Sequence, residues 1–401
     1  MFRFIHTSDW HLGQNFYGYD RSEEQRDFLR QLADIVREYK PDALLVSGDI
    51  YHTAAPANAA VNLYVEGMLN IHDACPTMAI IVIAGNHDSA SRLDSDKLLW
   101  ERCGINVLGS LARDNEGHAD LDRHLIDVGG KGIVAAVPFA YPNSFPSIDG
   151  VATEREQRQR NYFQGLIDHA QGKNPEQVPI VLMAHLAVQN SKLTDYDLER
   201  NHEMEFINLN TLGNGYDYAA LGHIHHPQPV GDRGRYCGTP LAVSFDEQCE
   251  HSVSIVEIDS HGAMPRIETR AIKNLNPLHT IPATDPIPFD DALQLLQEFN
   301  AEERAYIRLN VSVERFLPAG AQERAALAVK DKTCRFCDIK KTATIISTHS
   351  PSQMTVEEFN RMTPCEVAQQ YFIDKIGTPM SQLQQDMFNQ IYQSVKEENR
   401  Q

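Results

Sequence analysis

Short apolar segments that stop abruptly at Gly, Asp, Asn or His recur along the first 260 residues of the chain. The segments are Phe2–His6, Ala43–Val46, Ala79–Ala84, Ile133–Val137, Ile180–Met183 and Tyr218–Leu221. Helical patterns lie between them, at Gln25–Tyr39, Ala57–Cys75, Leu93–Cys103 and Gln157–Ala170. This alternation predicts an α/β fold, in which the helices cover sheets built from the apolar strands.

Polar side chains of a similar kind follow five of these strands. In chain order they are Asp9 and His11, then Asp49 and His52, then Asn86, His87 and Asp88, then His185, and finally His223 and His225. A single loop such as GNHD at 85–88 also fits an ordinary turn, because Gly, Asn and Asp are common turn residues. Five such loops favour a site, because ligands collect at the carboxyl ends of strands in an open α/β sheet.

Carboxylates, imidazoles and one amide oxygen make up this set of side chains, and it contains no thiolate. Such ligands suit Mn²⁺, Fe²⁺, Zn²⁺ or Mg²⁺. The set offers more candidate ligands than one ion that also keeps a coordination position open can use. Two ions that share a bridging carboxylate use the set naturally, and such pairs clamp the attacking and leaving oxygens of a phosphoryl displacement.

The charge balance is acidic, with 36 Lys and Arg against 55 Asp and Glu and a net charge of −19. This argues against a protein that coats nucleic acid by bulk positive charge, but not against a nuclease, because bound metal ions reverse the local sign of charge. No apolar run approaches the ~18 residues of a membrane span. The N-terminus lacks signal-peptide features, and seven scattered Cys do not indicate a disulfide framework. We therefore expect a cytoplasmic protein with reduced thiols and no membrane partner.

Beyond residue 223 the pattern becomes rich in strands. These are Arg235–Cys237, Ser252–Ile258 and Pro265–Ile272, interpreted as antiparallel strands that close the sheets. A segment with four Pro, Asn274–Pro288, then predicts a linker. The small unit after it alternates helix and strand, at Phe289–Asn300, Ala305–Val313, Ala321–Lys330 and Arg335–Ile346. The predicted domains are 1–275, a small α/β domain at 276–348 and a helical C-terminal region at 349–401.

The C-terminal region is predicted to be helical over Thr355–Glu398. Two pairs have the spacing of capping boxes, Thr355 with Glu358 and Thr363 with Glu366. The last predicted helix carries an apolar stripe at Leu383, Met387, Ile391 and Val395. This stripe either docks onto the rest of the chain or binds the helices of a partner.

Five strings carry a resemblance to a known family. They are HTSDWHLGQNFYG (6–18), VSGDIYHTAAP (46–56), AGNHDSASRL (84–93), ALGHIHHPQ (220–228) and YCGTPLAVSFDE (236–247). The chain resembles the calcineurin-like metallophosphoesterase superfamily and, within it, the SbcD-type nuclease subunits of bacterial SbcCD complexes. The resemblance implies a four-layer α-β-β-α sandwich with a small α/β capping domain and a helical tail.

The resemblance also implies a role for each matching residue. The first metal ion would be held by Asp9, His11, Asp49 and His225. The second would be held by Asp49, Asn86, His185 and His223, so that Asp49 bridges the two ions. His87 would be the catalytic His, Asp88 would orient it through a ring nitrogen, and His52 would contact the phosphate.

The implied activity is two-metal hydrolysis of DNA phosphodiester bonds, with Mn²⁺ as the expected ion. The implied enzyme is a 3′–5′ double-strand exonuclease and an endonuclease on DNA ends and hairpins, acting in DNA replication, recombination and repair. The partner would be an SbcC-type ABC ATPase, in a heterotetramer where ATP gates access and the tail binds the root of the ATPase coiled coil. The helices Asn58–Ala74 and Leu93–Cys103 would either pack within one chain or pair in a homodimer.

Two other functions fit the metal motifs less well. A stand-alone phosphatase or cyclic-nucleotide phosphodiesterase has no need for the region at 275–401. A scaffold with a degenerate site would not keep the full set of ligands together with His87.

Several other residues are interpreted as structural. His6 is predicted to be a buried core histidine, His226 a loop residue, and Trp10 a packing residue that fixes the ligand loop. Cys334 and Cys337 form a lone C-x-x-C, which is interpreted as two incidental thiols.

Overall fold

The computed structural model describes residues 1–148, 154–199, 205–247, 249–314, 316–343, 363–376, 378–382, 384–389 and 392. The strands are β1 Phe2–Thr7, β2 Ala43–Ser47, β3 Ala79–Ile83, β4 Ile105–Leu108, β5 Leu125–Asp127, β6 Ile133–Val137, β7 Ile180–His185, β8 Ala187–Val188, β9 Phe206–Ile207, β10 Tyr218–Gly222, β11 Gln228–Val230, β12 Gly234–Tyr236, β13 Ser252–Ile258, β14 Arg266–Ala271, β15 Leu278–Ile281, β16 Tyr306–Val313 and β17 Arg335–Ala343. The helices are α1 Ser22–Tyr39, α2 Asn58–Ala74, α3 Ala90–Ser95, α4 Lys97–Glu101, α5 Arg155–Gly172, α6 Asp195–Glu199, α7 Phe289–Glu298, α8 Ala321–Ala328 and α9 Pro364–Ile376. Within these ranges, no helix combines the length and the apolar character that a membrane crossing requires.

The first sheet has six strands in the order β14-β13-β1-β2-β3-β4. Its strands β1 to β4 run parallel, and β13 and β14 add two antiparallel strands at one side. The prediction that Ser252–Ile258 and Pro265–Ile272 are antiparallel strands is therefore confirmed. They extend the sheet beside β1, where Ile5 pairs with Ile255.

The second sheet has the order β11-β12-β10-β7-β6-β5. Four of its strands are parallel, while β5 and β11 are antiparallel at the two edges. The prediction that Arg235–Cys237 is antiparallel is wrong in part, because β12 runs parallel to β10 and antiparallel only to β11. The short β11 strand reverses the chain before β12, so β12 enters the sheet in the direction of β10.

The two sheets pack face to face, because strands buried on both sides alternate between two apolar layers. Phe4 faces a core shared with Met183 and Tyr218 of the second sheet, whereas the next residue, Ile5, faces a core with helices α1 and α2. On the other side, α5 packs onto the second sheet through residues such as Phe163 and Leu166. The layers are therefore α-β-β-α, as expected from the sequence.

The prediction of one continuous helix at Leu93–Cys103 is wrong, because two short helices occupy this region. They are α3 and α4, which meet at Asp96. The Ser95 hydroxyl donates to the carbonyl of Arg92 at 2.6 Å, and Asp94 accepts from the backbone N–H of Gly109 at 2.9 Å. Such side-chain bonds to backbone compete with helical hydrogen bonds and favour a break.

The chain divides into two compact units by its contacts. The first comprises residues 1–280, 300–308 and 331–338, and the second comprises residues 281–299, 309–330 and 339–401. A further sheet has three strands in the order β15-β16-β17. The strand β15 was not predicted, because it lies in the Pro-rich segment that we interpreted as a linker. Our division at residues 275 and 348 stays a prediction.

The helix α9 begins at a capping box, as predicted. The backbone N–H of Thr363 donates to Glu366 at 2.7 Å, and the backbone N–H of Glu366 lies 3.3 Å from the Thr363 hydroxyl oxygen. The other predicted box, at Thr355 and Glu358, lies outside the described residues. In the apolar stripe, Met387 is 55% exposed, and Leu383, Ile391 and Val395 also lie outside the described residues.

Candidate metal centre

The seven predicted metal ligands converge at the carboxyl ends of five strands. The loops after β1, β2 and β3 of the first sheet meet the ends of β7 and β10 of the second sheet. Six of the seven side chains are buried, namely Asp9, His11, Asp49, His185, His223 and His225, and Asn86 is exposed. The site therefore lies where the same edge of both sheets comes together.

One cluster gathers Asp9, His11 and His225. The Nε2 atoms of His11 and His225 face each other at 3.2 Å. Asp49 approaches the same group, with its Oδ2 atom 3.8 Å from Nε2 of His11. These are the four residues predicted for the first metal ion.

A second cluster forms around Asn86. Its Oδ1 atom lies 3.0 Å from Nε2 of His185 and 2.8 Å from Nδ1 of His223. Those two ring nitrogens are 3.2 Å apart. Asp49 again completes the group, because its Oδ1 atom is 3.6 Å from Nε2 of His185.

Asp49 lies between the two clusters and turns one carboxylate oxygen to each. Oδ2 faces His11 and Oδ1 faces His185. Oδ1 also accepts the backbone N–H of His87 at 2.9 Å, which fixes the orientation of the carboxylate. A bridging position for Asp49 is therefore compatible with the geometry.

The donor atoms fit divalent metal ions. Metal–ligand bonds of about 2.0–2.2 Å put neighbouring ligands of one ion roughly 3 Å apart, which is the spacing found in both clusters. Burial lowers the pKa of His223 to about 3, so its ring is a neutral ligand. His185 donates from Nδ1 to the carbonyl of Ser47 at 2.8 Å, which leaves the lone pair of Nε2 facing Asn86 and Asp49. Facing lone pairs in a buried site are stabilised by a cation.

Backbone geometry at the ligands is unusual in a way that the sequence alone does not reveal. Asp9, His11, Asp49 and His223 all have positive φ, between 45° and 102°. Non-Gly residues adopt such angles rarely, and functional sites are where the cost is tolerated. Gly85 and Gly222 each precede a predicted ligand, and a Cβ atom on either would overlap Asp49 or Ser47. These glycines therefore let the ligand loops approach each other.

His87 and His52 lie at the edge of the clusters. The rings of His52 and His87 stack with centroids 5.7 Å apart, and the ring of His87 is 4.9 Å from that of His11. Nδ1 of His87 lies 2.8 Å from the carbonyl oxygen of His52. Since a carbonyl oxygen only accepts, Nδ1 donates to it, and this contact holds the ring of His87 beside His11.

The prediction that Asp88 orients the ring of His87 is wrong. The Asp88 carboxylate instead accepts backbone N–H groups from Ile50, Tyr51 and Gly85, at 3.1, 2.9 and 2.8 Å. The carbonyl of His52 occupies the position at Nδ1 that we assigned to Asp88. Asp88 therefore links the loop after β2 to the loop after β3 by accepting their backbone N–H groups. Its role is to support the conformation of these two loops.

The residues interpreted as structural lie where that interpretation requires. His6 is fully buried with Nδ1 3.1 Å from the Tyr218 hydroxyl, and Trp10 donates from Nε1 to Thr7 at 3.0 Å. His226 is in the loop between β10 and β11. Burial raises the pKa of the Cys337 thiol to about 12, which is unsuited to a thiolate ligand.

A cavity of about 410 Å³ opens onto the second cluster, and no pattern in the sequence indicated it. Asp49, Asn86 and His87 line it on the metal side. Phe139 and Tyr141 also line it, with ring centroids 5.2 Å apart, and the ring of Phe139 is stacked 6.5 Å from that of His223. The cavity gives a substrate direct access to the clusters.

Sequence reasoning also missed three residues around His225. Its Nδ1 lies 3.2 Å from Glu247 Oε1 and 3.8 Å from Asp197 Oδ1, and Tyr196 stacks on its ring. Burial opposes it, but the hydrogen bond with Glu247 and the nearby carboxylates raise the pKa of His225 to about 10. Glu247 closes the string YCGTPLAVSFDE, which carried the resemblance without an assigned role.

Comparison with known proteins identifies a family and several relatives of similar sequence. A family model described as calcineurin-like phosphoesterase matches residues 2–227. A protein of Rhodobacter capsulatus, named as the SbcD component of the nuclease SbcCD, is 30% identical over 316 residues, which cover 75% of this chain and 77% of the relative. Proteins of the same name from Escherichia coli K12 (29% identity, 71% and 70% coverage) and Bacillus subtilis (31% identity, 64% and 66% coverage) are also similar.

The family model spans more than half of the chain, and it contains all seven predicted ligands. Binding of divalent metal ions is a property of that family, and the carboxylate and imidazole clusters are consistent with it. The chain therefore belongs to the calcineurin-like phosphoesterase family and, within it, to the group of SbcD nucleases.

Proposed function

We propose that this chain is the nuclease subunit of an SbcCD-like complex and hydrolyses DNA phosphodiester bonds at a pair of divalent metal ions. One observation carries the proposal: Asp49 turns one carboxylate oxygen to each of two clusters of imidazole and oxygen donors. Relatives that are named as SbcCD nuclease subunits support DNA as the substrate class.

The proposed ligand sets are those expected from the sequence. Asp9, His11, Asp49 and His225 would hold one ion, and Asp49, Asn86, His185 and His223 would hold the other. Mn²⁺ is our proposed ion, since it is one of the ions that imidazole, carboxylate and amide ligands suit and the one that the resemblance implies. When bound, a metal pair supplies activation of a water molecule and stabilisation of the charge that develops on the phosphoryl oxygens.

His87 is the proposed catalytic residue among the groups that are not ligands. Its Nδ1 atom donates to the His52 carbonyl, which holds the ring beside His11 at the edge of the metal centre. We assign the His87 ring to stabilising the transition state and delivering a proton to the leaving oxygen. The stacked ring of His52 is a proposed phosphate contact. Phe139 and Tyr141 give the cavity an aromatic surface beside the second cluster.

The finer activities remain proposals. They are 3′–5′ exonuclease action on double-strand ends, endonuclease action on hairpins, and gating by ATP that an SbcC-type ATPase binds. A stand-alone phosphatase or cyclic-nucleotide phosphodiesterase is the alternative, because a cavity of about 410 Å³ also admits a small phosphate ester. We expect the active complex in the cytoplasm.

A DNA cleavage assay separates these functions. Metal-stripped protein should not cut a labelled blunt duplex or a hairpin, and Mn²⁺ should restore cleavage more than Mg²⁺ does, because the donor set suits Mn²⁺ better. Adding the ATPase and ATP should increase cleavage of the hairpin. Full cleavage by the stripped protein would contradict the metal mechanism. Hydrolysis of bis(p-nitrophenyl) phosphate without any cleavage of DNA would favour the alternative.

The C-terminal region is our proposed binding site for the ATPase, and a homodimer is our proposed state of the nuclease subunit. On the described part of the tail, Tyr371 and Met387 are 60% and 55% exposed. On the helix α4, Leu98 and Leu99 are 68% and 69% exposed. Exposed apolar side chains on helices are common in binding surfaces, which supports both assignments.

Removing residues 350–401 should abolish co-purification with the ATPase while the remaining chain stays folded. The truncated chain should stay folded because the first compact unit, which contains the metal centre, has its own apolar cores. Pull-down with the ATPase measures the first expectation, and light scattering should give the mass of a dimer for both forms. Unchanged co-purification would refute the role of the tail, and a monomer mass for the full chain would refute the dimer.

A further inference from the structure

His225 contacts three residues to which our sequence analysis assigned no role. Glu247 lies 20 residues beyond the matched region and contacts Nδ1 of the ring at 3.2 Å. Asp197 reaches the same nitrogen at 3.8 Å, and the ring of Tyr196 is stacked at 5.0 Å with an angle of 22°. Glu247 and Asp197 are 2% and 1% exposed, so water does not screen them from the ring.

The Glu247 carboxylate is itself fixed. Its Oε2 atom accepts the Thr239 hydroxyl at 2.6 Å and the backbone N–H of Val243 at 3.2 Å. This leaves Oε1 for His225. An ionised carboxylate only accepts, so Nδ1 donates to it and Nε2 is the ring nitrogen turned to the cluster. Nε2 of His11 lies 3.2 Å from that atom.

In the other cluster, the ligand His185 has a different kind of partner at its second ring nitrogen. His185 donates from Nδ1 to the neutral carbonyl of Ser47 at 2.8 Å. A carboxylate partner makes an imidazole ligand more basic than a neutral carbonyl does, and it holds the ring orientation as well. The two halves of the centre therefore differ in the group behind the histidine, although their donor atoms are alike.

We infer that Glu247 is a positioning residue for His225, and that it makes the site of Asp9, His11 and His225 the tighter of two metal sites. Asp197 contributes in the same direction through a longer contact. The inference rests on the proposed two-metal function. It gives the string YCGTPLAVSFDE a physical role, since the loop that it forms places Glu247 behind the ligand.

Glu247→Gln tests the inference with little change of size. Calorimetric titration of the metal-stripped protein with Mn²⁺ should show two binding steps, and the variant should weaken the tighter step by about 10–100-fold, as loss of such a partner does. The other step should be unchanged. Glu250→Gln is the matched control, because Glu250 is exposed three residues further along and loses the same charge. Asp197→Asn should give a smaller loss at the same step.

The possible results distinguish the inference from the function on which it rests. Two binding steps in the unaltered protein, both unchanged in Glu247→Gln, would overturn the inference alone. No Mn²⁺ binding by the unaltered protein would overturn the proposed function. Equal weakening of both binding steps in Glu247→Gln would assign Glu247 to loop folding and overturn the positioning role. Weakening confined to the tighter step, in Glu247→Gln and to a smaller extent in Asp197→Asn, supports the inference.

Discussion

Replacing Asp49 with Asn should remove the metal pair and reduce DNA cleavage by about 10³-fold or more. Asp49 is the only residue in the two proposed ligand sets that belongs to both. Its Oδ1 atom faces His185 and its Oδ2 atom faces His11. Metal ions contribute several kcal/mol of charge stabilisation in such reactions, and each ~1.4 kcal/mol corresponds to a tenfold change in rate.

The measurements for this variant are bound metal by elemental analysis and the initial rate on a blunt duplex. Asn keeps an oxygen that can accept the His87 N–H, so the loop conformation should persist. Asp73→Asn is the control, because Asp73 is exposed on α2 and loses the same charge. Two retained ions together with a rate near that of the unaltered protein would contradict the bridging role.

Replacing His87 with Gln should reduce cleavage by about 10²–10⁴-fold, the range for loss of a general acid. Both metal ions and DNA binding should be retained. The ring of His87 donates from Nδ1 to the His52 carbonyl. Its loss removes the proposed proton transfer, while every residue of the two proposed ligand sets is kept. His118→Gln serves as the control, because His118 lies in the 114–118 turn and not in the clusters.

Elemental analysis and DNA binding by fluorescence anisotropy complete the test of His87. A second possibility exists in the structure, because donor atoms of His11, His52 and His87 also lie close enough to share an ion. Loss of one metal ion in His87→Gln would therefore make His87 a ligand and refute the catalytic role. A normal rate with both ions present would refute any part in the reaction.

Much of the fold could be predicted because it depends on local pattern. In Ala43–Ser47 the first four residues are apolar, and Gly48 and Asp49 follow the strand, so both its position and its burial could be predicted from the sequence. The capping box at Thr363 and Glu366 likewise depends on two side chains three residues apart. The direction of β12 could not be predicted, because it depends on pairing with β10, and the intervening strand β11 has no signal in the sequence pattern.

Some features of the candidate site could likewise be predicted from the sequence, and others could not. The residue types of the ligands and their positions after strands predicted that they would meet, and the distances between His185, His223 and Asn86 agree with that expectation. The partner of His87 was predicted wrongly, because adjacency in sequence suggested Asp88. In the folded chain the backbone of His52 is closer, and Asp88 points to backbone N–H groups. Contacts between loops of this kind are not encoded in any local spacing.

Anomalous diffraction at the manganese edge, from crystals of the protein soaked in Mn²⁺, tests the two-metal centre most directly. We predict two peaks about 3.5–4 Å apart, one beside His11 and His225 and one beside Asn86 and His185, with the Asp49 carboxylate between them. A single peak, or two peaks that Asp49 does not bridge, would contradict the metal centre proposed for this chain.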